Sequence, residues 1–413
     1  MEYAKENIVV GLDVGTTKIC AVVGKQDSDE YVEIIGIGQC RSHGLRKGFV
    51  IDIENTASAI RKAVEDAELT SGCSISSVVV GIADKFIRGQ NTRGMVTLKG
   101  REVVAEDVRR VIDSAQATAL RADRKKLHLI PQEFIVDSLA EIEQPLGISG
   151  ERLEARVHLI TAASASIDNI IKACGKALLE VSEIVFQPLA SAEAVLMADE
   201  REMGVVLIDI GGGTTDIAIF SGGMLRHTAV IPVAGNHLTN DLAVGLRVTI
   251  SEAERVKCLY GCCLEDMQAG NTPVEVFTTG GRDSRFVTSD DIRFILQART
   301  DELIGIVAKE LSCSGFKDDL VTGAVITGGS SLLPGLDVLA EQLLGMPVRL
   351  GRPLKVKGLA DSVCLPQFST GVGLVLTGLK AQSVKDVRPV SLLETAKRRL
   401  GRLWEQTGFL SGI

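Results

Sequence analysis

The chain has 413 residues, 45% hydrophobic and 24% charged, which is too long for one hydrophobic core and fits two or three globular folding units. Forty-five basic against 53 acidic side chains leave a net charge of −8, which argues against a nucleic-acid partner. No apolar run approaches a membrane span and Met1–Asn7 (MEYAKEN) does not read as a secretory signal, so a cytosolic chain is expected.

The first element in the chain is a hairpin. Val9–Val23 reads VVGLDVGTTKICAVV, an apolar run ending in Asp, then Gly and Thr-Thr, then alternating apolar residues, which predicts strand, tight turn, strand. Gly15 permits backbone angles that other residues resist, so successive N–H groups can converge on phosphate oxygens. Thr16 and Thr17 add hydroxyl donors, and Asp13 at the end of the first strand is placed to hold Mg²⁺ through water.

The pattern recurs 196 residues later. Val206–Phe220 reads VLIDIGGGTTDIAIF, with Asp209 in the place of Asp13, Gly211, Gly212 and Gly213 in the turn, and Thr214 and Thr215 after it. A duplicated turn implies two similar half-molecules facing each other and able to grip both ends of a nucleotide triphosphate. One glycine turn in a hairpin says little, whereas two with matching Asp, Gly and Thr-Thr say much more. The absence of GxxxxGK[ST] excludes a P-loop protein.

Between this hairpin and the next glycine element lie Cys258, Cys262 and Cys263, the one cluster among nine cysteines. No pair has zinc-site or CxxC spacing and no histidine lies near in sequence, so they read as reduced, partly buried small hydrophobes. Ala324–Leu336 then reads AVITGGSSLLPGL, a strand, the turn Gly328-Gly329-Ser330-Ser331 and a helix. Such a turn lets backbone approach an adenine ring, although strand–Gly–helix junctions also occur without any ligand.

The C-terminal stretch is different in kind. From Ser391 onward Lys397, Arg398, Arg399 and Arg402 outweigh Glu394 and Glu405, a net of +2 that leaves −10 for the rest of the chain. At about 100° per residue, Leu392, Leu393, Ala396, Leu400, Leu403 and Trp404 fall within about 120° of one another. Lys397 and Arg399 edge that stripe, while Arg398 and Arg402 project from the other side. The pattern suits a helix lying in the interface of an anionic membrane; packing on the body or on a partner is the alternative. Lys380–Pro389 (KAQSVKDVRP) reads as a tether before it. Each basic side chain contributes on the order of 1 kcal/mol near anionic lipid, so one tail attaches weakly and many copies in an oligomer attach firmly.

Taken together, GLDVGTTKICAVVG, LIPQEFI, VHLITA, DIGGGTTDIAIFSGG with LRHTAVIPVAGN, and AVITGGSSLLPGL resemble the FtsA family of bacterial cell-division proteins, within the actin, Hsp70 and sugar-kinase ATPase superfamily. The resemblance runs from about Ile8 to Lys380, and the basic amphipathic tail completes it. It implies an α/β fold: an actin-like two-lobed ATPase with duplicated mixed sheets, a nucleotide between the lobes, and an inserted FtsA-type subdomain. Lobe one would comprise residues 7–83, 160–203 and 362–380, with the inserted subdomain at 84–159. Lobe two would comprise 204–235 and 314–361 with its own insertion at 236–313, followed by a linker at 381–390 and the membrane helix at 391–413. The insertion itself reads as strand over Gln90–Leu98, helix over Ala105–Leu120 and strand over Leu127–Val136.

The resemblance also assigns roles residue by residue. Lys18 joins the first phosphate turn, Gly328, Gly329 and Ser330 form the adenosine turn, and Glu254 and Lys257 in SEAERVK contact ribose and adenine. On spacing alone that Glu–Lys pair equally suits a solvated helical face. Gln187, in QPLASAEAVL, matches the interlobe segment where Gln or Glu orients an attacking water; the alternative is a loop residue before Pro188. The implied cofactors are ATP and Mg²⁺, with nucleotide binding expected and hydrolysis at most weak. The implied partners are FtsZ, the protein itself in a filament, later division proteins, and anionic lipid at the cytoplasmic face of the inner membrane at the division site. A sugar or acetate kinase of the same superfamily is the competing expectation, since GLDVGTTK would also open such an enzyme, but no segment marks its general base.

Overall fold

The computed structural model describes residues 8–27, 31–117, 123–264, 271–278 and 283–386. The basic tail at 391–413 and linker residues 387–390 therefore lie outside the described residues.

Lobe one opens with three antiparallel strands, β1 (Ile8–Val14), β2 (Lys18–Gln26) and β3 (Val32–Arg41). A small ladder, β4 (Leu45–Arg46) with β5 (Phe49–Val50), leads to helix α1 (Ile53–Ser71) and strand β6 (Ser77–Ile82). The α1 segment is helical because Asp52 caps its first turn, accepting from the Asn55 N–H at 3.0 Å, and Gly72 ends it in the left-handed region. Its Ala57, Ile60, Val64 and Ala67 recur at helical spacing and are buried against the sheet.

The chain then leaves lobe one. Strand β7 (Arg88–Thr97), helix α2 (Ala105–Ala117), and strands β8 (Arg124–Val136), β9 (Leu139–Ile142) and β10 (Arg152–Ala163) form an inserted domain. Its antiparallel sheet, ordered β7-β10-β8-β9, buries one face under Val111 and Ala115 of α2. The expected end of this insertion at residue 159 falls inside β10, a strand that runs on unbroken to Ala163. Helix α3 (Ser164–Lys176), strand β11 (Glu180–Phe186), and helices α4 (Gln187–Val195) and α5 (Ala198–Met203) complete the first half.

Lobe two repeats the plan with β12 (Val205–Ile210), β13 (Thr215–Ser221) and β14 (Met224–Ile231). Helices α6 (Gly235–Gly245) and α7 (Ile250–Tyr260), hairpin β15 (Pro273–Phe277) and β16 (Ser284–Thr288), and the long helix α8 (Ser289–Ser314) follow. Then come β17 (Ala324–Thr327), α9 (Leu336–Leu344), β18 (Val348–Leu350), β19 (Val356–Gly358), α10 (Ala360–Val363) and α11 (Ser369–Asp386).

The duplication extends to topology. Lobe one's sheet is ordered β11-β6-β1-β2-β3-β19, and lobe two's is ordered β18-β17-β12-β13-β14. In each, a glycine-turn hairpin has a third antiparallel strand on one side and a parallel strand on the other. Helices α4 and α11 lie between the two sheets, in a core that draws Val22 and Val79 from one lobe and Leu207 and Val325 from the other. Separate cores bury the outer faces, under α1 and α3 in lobe one and under α6 to α9 in lobe two.

Two further boundaries differ from expectation. Residues 356–358, expected in lobe two, pair as β19 with β3 on the edge of lobe one's sheet, a docking made by backbone hydrogen bonds that a Val-Lys-Gly segment does not advertise. Helix α11 continues through Asp386, so residues 381–386 extend the last helix of the body into the expected linker. Among the described residues no helix is long and apolar enough to cross a membrane. All nine cysteines are free thiols; Cys262 and Cys263 are buried and Cys258 is exposed.

Candidate functional site

Because the two sheets are related by the same plan, their glycine-threonine turns end up facing each other. Residues 15–17 join β1 to β2, residues 211–214 join β12 to β13, and the two turns line one cavity of about 390 Å³. Their approach leaves no space for side chains on one of them. A Cβ on Gly212 would lie 2.3 Å from Thr17 Cγ2, and one on Gly213 would lie 2.3 Å from Thr16 Oγ1. Both turns close in the same way, the Gly15 N–H donating to the Lys18 carbonyl at 3.0 Å and the Gly211 N–H to the Thr214 carbonyl at 3.0 Å. The Thr16 hydroxyl accepts from the Gly48 N–H at 2.9 Å, which ties the first turn to the β4–β5 ladder.

The third glycine turn docks on the second. Gly328 has φ +86°, and a Cβ there would come within 2.3 Å of Asp209 Oδ1, so glycine alone fits. Ser330 Oγ donates to the Gly211 carbonyl at 2.8 Å. Helix α7 supplies the remaining wall, where Lys257 Nζ donates to Glu254 Oε2 at 2.7 Å and to Thr239 Oγ1 at 2.9 Å.

The expected nucleotide-site residues converge on this cavity with one exception. Thr215 does not line it; the residue is fully buried and its hydroxyl donates to the Val233 carbonyl at 2.8 Å. Successive residues of a strand face opposite sides, so when Thr214 points to the cavity its neighbour points to the core. Gln187 stands at the first turn of α4, buried, with Nε2 donating to Asp13 Oδ1 at 2.8 Å. Lys18 Nζ donates to the Gln367 carbonyl at 2.8 Å and lies 4.1 Å from the centroid of the Phe368 ring.

Electrostatics at the cavity floor are dominated by buried carboxylates. Burial pushes Asp13 up to about 7, against the pull of the Lys18 ammonium, and neighbouring Asp209 pushes it further. Asp209 is also raised by burial, although its Oδ2 accepts from Ser191 Oγ at 2.6 Å. Asp216 is held well above the carboxylate range, by burial first and by Asp209 second. Its Oδ2 accepts from Thr214 Oγ1 at 3.2 Å, while its buried Oδ1 has no hydrogen-bond partner among the described residues. The lining thus holds four carboxylates, Asp13, Asp209, Asp216 and Glu254, against the two ammonium groups of Lys18 and Lys257.

Asp216 was missed by the sequence reading, yet a signal existed. Aligned on Thr-Thr, the first turn continues with Lys18 where the second continues with Asp216, so the two copies place opposite charges at equivalent positions. Ser191, Thr370 and Gly48, which hold Asp209 and Thr16, lie outside the duplicated turns and could not be found by aligning them.

Comparison with known proteins bears on both fold and family. The family model described as "Cell division protein FtsA" matches residues 206–373, and that described as "SHS2 domain inserted in FTSA" matches residues 85–161. The cell division protein FtsA of Pseudomonas aeruginosa is 46% identical over 376 residues, covering 91% of this chain and 90% of that protein. The FtsA of Neisseria meningitidis is 43% identical over 383 residues, covering 92% of each. Among solved structures, the PilM–PilN type IV pilus biogenesis complex aligns with a TM-score of 0.67 at 18% identity, covering 90% of this chain and 98% of that one. MreB5 of Spiroplasma citri bound to ADP aligns with a TM-score of 0.53 at 15% identity, covering 92% and 97%. These structural likenesses show the fold, which is that of the actin-like ATPases.

Proposed function

The chain belongs to the FtsA family of cell-division proteins, and from that premise we propose that it is an ATP-binding, actin-like protein that polymerises at the cytoplasmic face of the inner membrane at the division site, tethers FtsZ there and recruits later division proteins. The observation that carries the nucleotide part is the facing of the two phosphate turns, Gly212 and Gly213 against Thr16 and Thr17, across one cavity. Each lobe contributes half of the grip, so occupancy favours the closed arrangement of the lobes, and closure selects the form that self-associates.

The roles follow from position. Backbone N–H groups and the hydroxyls of Thr16, Thr17 and Thr214 bind phosphate oxygens, with the Lys18 ammonium beside them. Gly328, Gly329 and Ser330 lie along the adenosine, and Glu254 and Lys257 hydrogen-bond the ribose and base. Magnesium fits the same floor. Burial holds protons on Asp13, Asp209 and Asp216 above the ordinary carboxylate range, and a divalent cation at this floor would displace them and supply positive charge for a triphosphate beside Lys18 and Lys257. Among the described residues no group of three or more His, Cys, Asp and Glu side chains is placed to hold an ion by itself. Asp13 and Asp209 would hold it through water; when bound, the ion neutralises phosphate charge and polarises the phosphoryl oxygens. Asp13 fixes the amide of Gln187 through Nε2, leaving the amide oxygen as the end that orients a water, the basis for slow hydrolysis.

Membrane attachment is assigned to the tail, whose apolar stripe (Leu392, Leu393, Leu400, Leu403, Trp404) and basic residues supply a weak anchor that polymerisation multiplies. Flotation with anionic liposomes, with and without ATP, tests this on the full chain, a chain ending at Lys385, and Trp404→Glu. The proposal expects the intact chain alone to float, more strongly with ATP, and then to carry FtsZ with it. Equal behaviour of the three would make the tail a packing helix and remove the adaptor role.

A further inference from the structure

A second recess lies away from the nucleotide cavity, between the inserted domain and lobe two. It has a volume of about 290 Å³, and three arginines line it: Arg93 of β7, Arg156 of β10 and Arg226 of β14. Arg93 and Arg156 are directly opposite across the antiparallel β7–β10 pair, a placement in which like charges weaken a sheet. Arg156 Nη1 pairs with buried Glu133 at 2.5 Å. Arg93 approaches Glu154 at 3.6 Å, and Glu154 is shared with Arg152 at 2.9 Å. The lining itself therefore carries three guanidinium groups and one carboxylate, in a protein whose net charge is −8.

The floor of this recess is fixed in place. Gln132 Nε2 donates to the Leu225 carbonyl at 2.7 Å and Asn91 Nδ2 to the Arg226 carbonyl at 3.0 Å, so side chains of the inserted domain seal the outer edge of β14. Fully buried His158 locks the junction from behind, one ring nitrogen 2.6 Å from Asn91 Oδ1 and the other 2.8 Å from Thr228 Oγ1.

We propose that this recess is a binding site for a phosphate-class dianion, inorganic phosphate or a phosphate monoester, held by the forked guanidinium groups of Arg93, Arg156 and Arg226. Planar guanidinium forks match phosphate oxygens two at a time, and the lining's three positive charges less one negative match a group that carries close to two negative charges at neutral pH. A carboxylate brings one charge and two oxygens, a poorer match for three arginines. Because Arg226 belongs to lobe two and the other arginines to the inserted domain, the bound anion bridges the two and favours the lobe arrangement that holds all three together.

Calorimetric titration of inorganic phosphate into the full chain, with a non-hydrolysable ATP analogue in excess, tests the site. Saturable binding is expected, weakened by at least about tenfold in Arg226→Gln and in Arg93→Gln, and unchanged in Arg110→Gln on α2. Glycerol phosphate in a parallel titration distinguishes an esterified from a free phosphate. Analogue affinity measured on each variant checks that it is folded, and the parent-to-variant difference assigns the heat to this recess whatever the nucleotide cavity holds. The absence of saturable heat, equal phosphate affinity in the parent and Arg226→Gln, or acetate binding as tightly as phosphate would each overturn the proposal.

Discussion

Replacing Asp13 by Asn should stabilise the nucleotide-free protein at alkaline pH while impairing the site. Folded Asp13 holds its proton up to about pH 7, whereas an aspartate of the unfolded chain releases it near 3.8. Between those values the folded state binds more protons than the unfolded state, so stability declines as pH rises. Below the lower value the Asp13 term costs nothing, and above the upper one its full cost is present. The shift corresponds to about 4 kcal/mol, accumulated at about 1.4 kcal/mol per pH unit. Asparagine does not titrate, and its side-chain oxygen can still accept from Gln187 Nε2, the bond that Asp13 accepts at 2.8 Å. Urea unfolding of the nucleotide-free chain, followed by circular dichroism at pH 5 and pH 8.5, should therefore show Asp13→Asn gaining on the parent by several kcal/mol at the higher pH and by much less at the lower. Asp209 and Asp216 titrate in both proteins, and because the Asp13 charge opposes theirs, its removal eases their ionisation and adds to the variant's gain at the higher pH. The same variant should lose most of its magnesium-dependent nucleotide affinity. A parent and variant whose stabilities change with pH in parallel would refute the buried, proton-holding Asp13.

Three further outcomes are expected. His158 has the opposite sign: burial holds it down at about 4, so the stability of its neutral form is present above pH 6.5 and is lost as pH falls, by about 3 kcal/mol near pH 4, a loss that His158→Gln should remove when acid unfolding curves are compared. Gly213→Val inserts atoms where a Cβ already comes within 2.3 Å of Thr16, so it should hold the lobes apart and weaken a fluorescent ATP analogue by at least about tenfold, with little change in melting temperature. Thr215→Val should cost about 1 kcal/mol of stability by removing the bond to Val233 while leaving nucleotide affinity intact, whereas Thr16→Val, which also strips the Gly48 N–H of its acceptor, should lower nucleotide affinity; equal effects of both on affinity, measured by the same fluorescence titration, would place Thr215 in the site after all.

Much of the cavity between the facing turns was legible in the chain because glycine-threonine turns are local. Period-two apolar runs ending in Asp, Gly and Thr-Thr specify strand–turn–strand without help from distant residues, and both hairpins formed where the sequence put them. Repetition supplied the long-range step: two similar halves pack by the same rules, so their turns can face each other across one cleft. Helix α2 was readable for the same local reason. Other features depend on partners supplied by other segments of the chain. Asp209 is held by Ser191 and Thr370, neither of which carries a motif, and β19 joins lobe one through backbone bonds to β3 that are indifferent to side-chain identity. The sealing of β14 by Asn91 and Gln132, and the burial that lifts Asp13 while lowering His158, likewise exist only once the inserted domain and the two lobes meet. Local pattern therefore determined which segments make the phosphate turns. Tertiary packing decided which of their groups face the cavity, which are spent on holding it, and what charge each one carries.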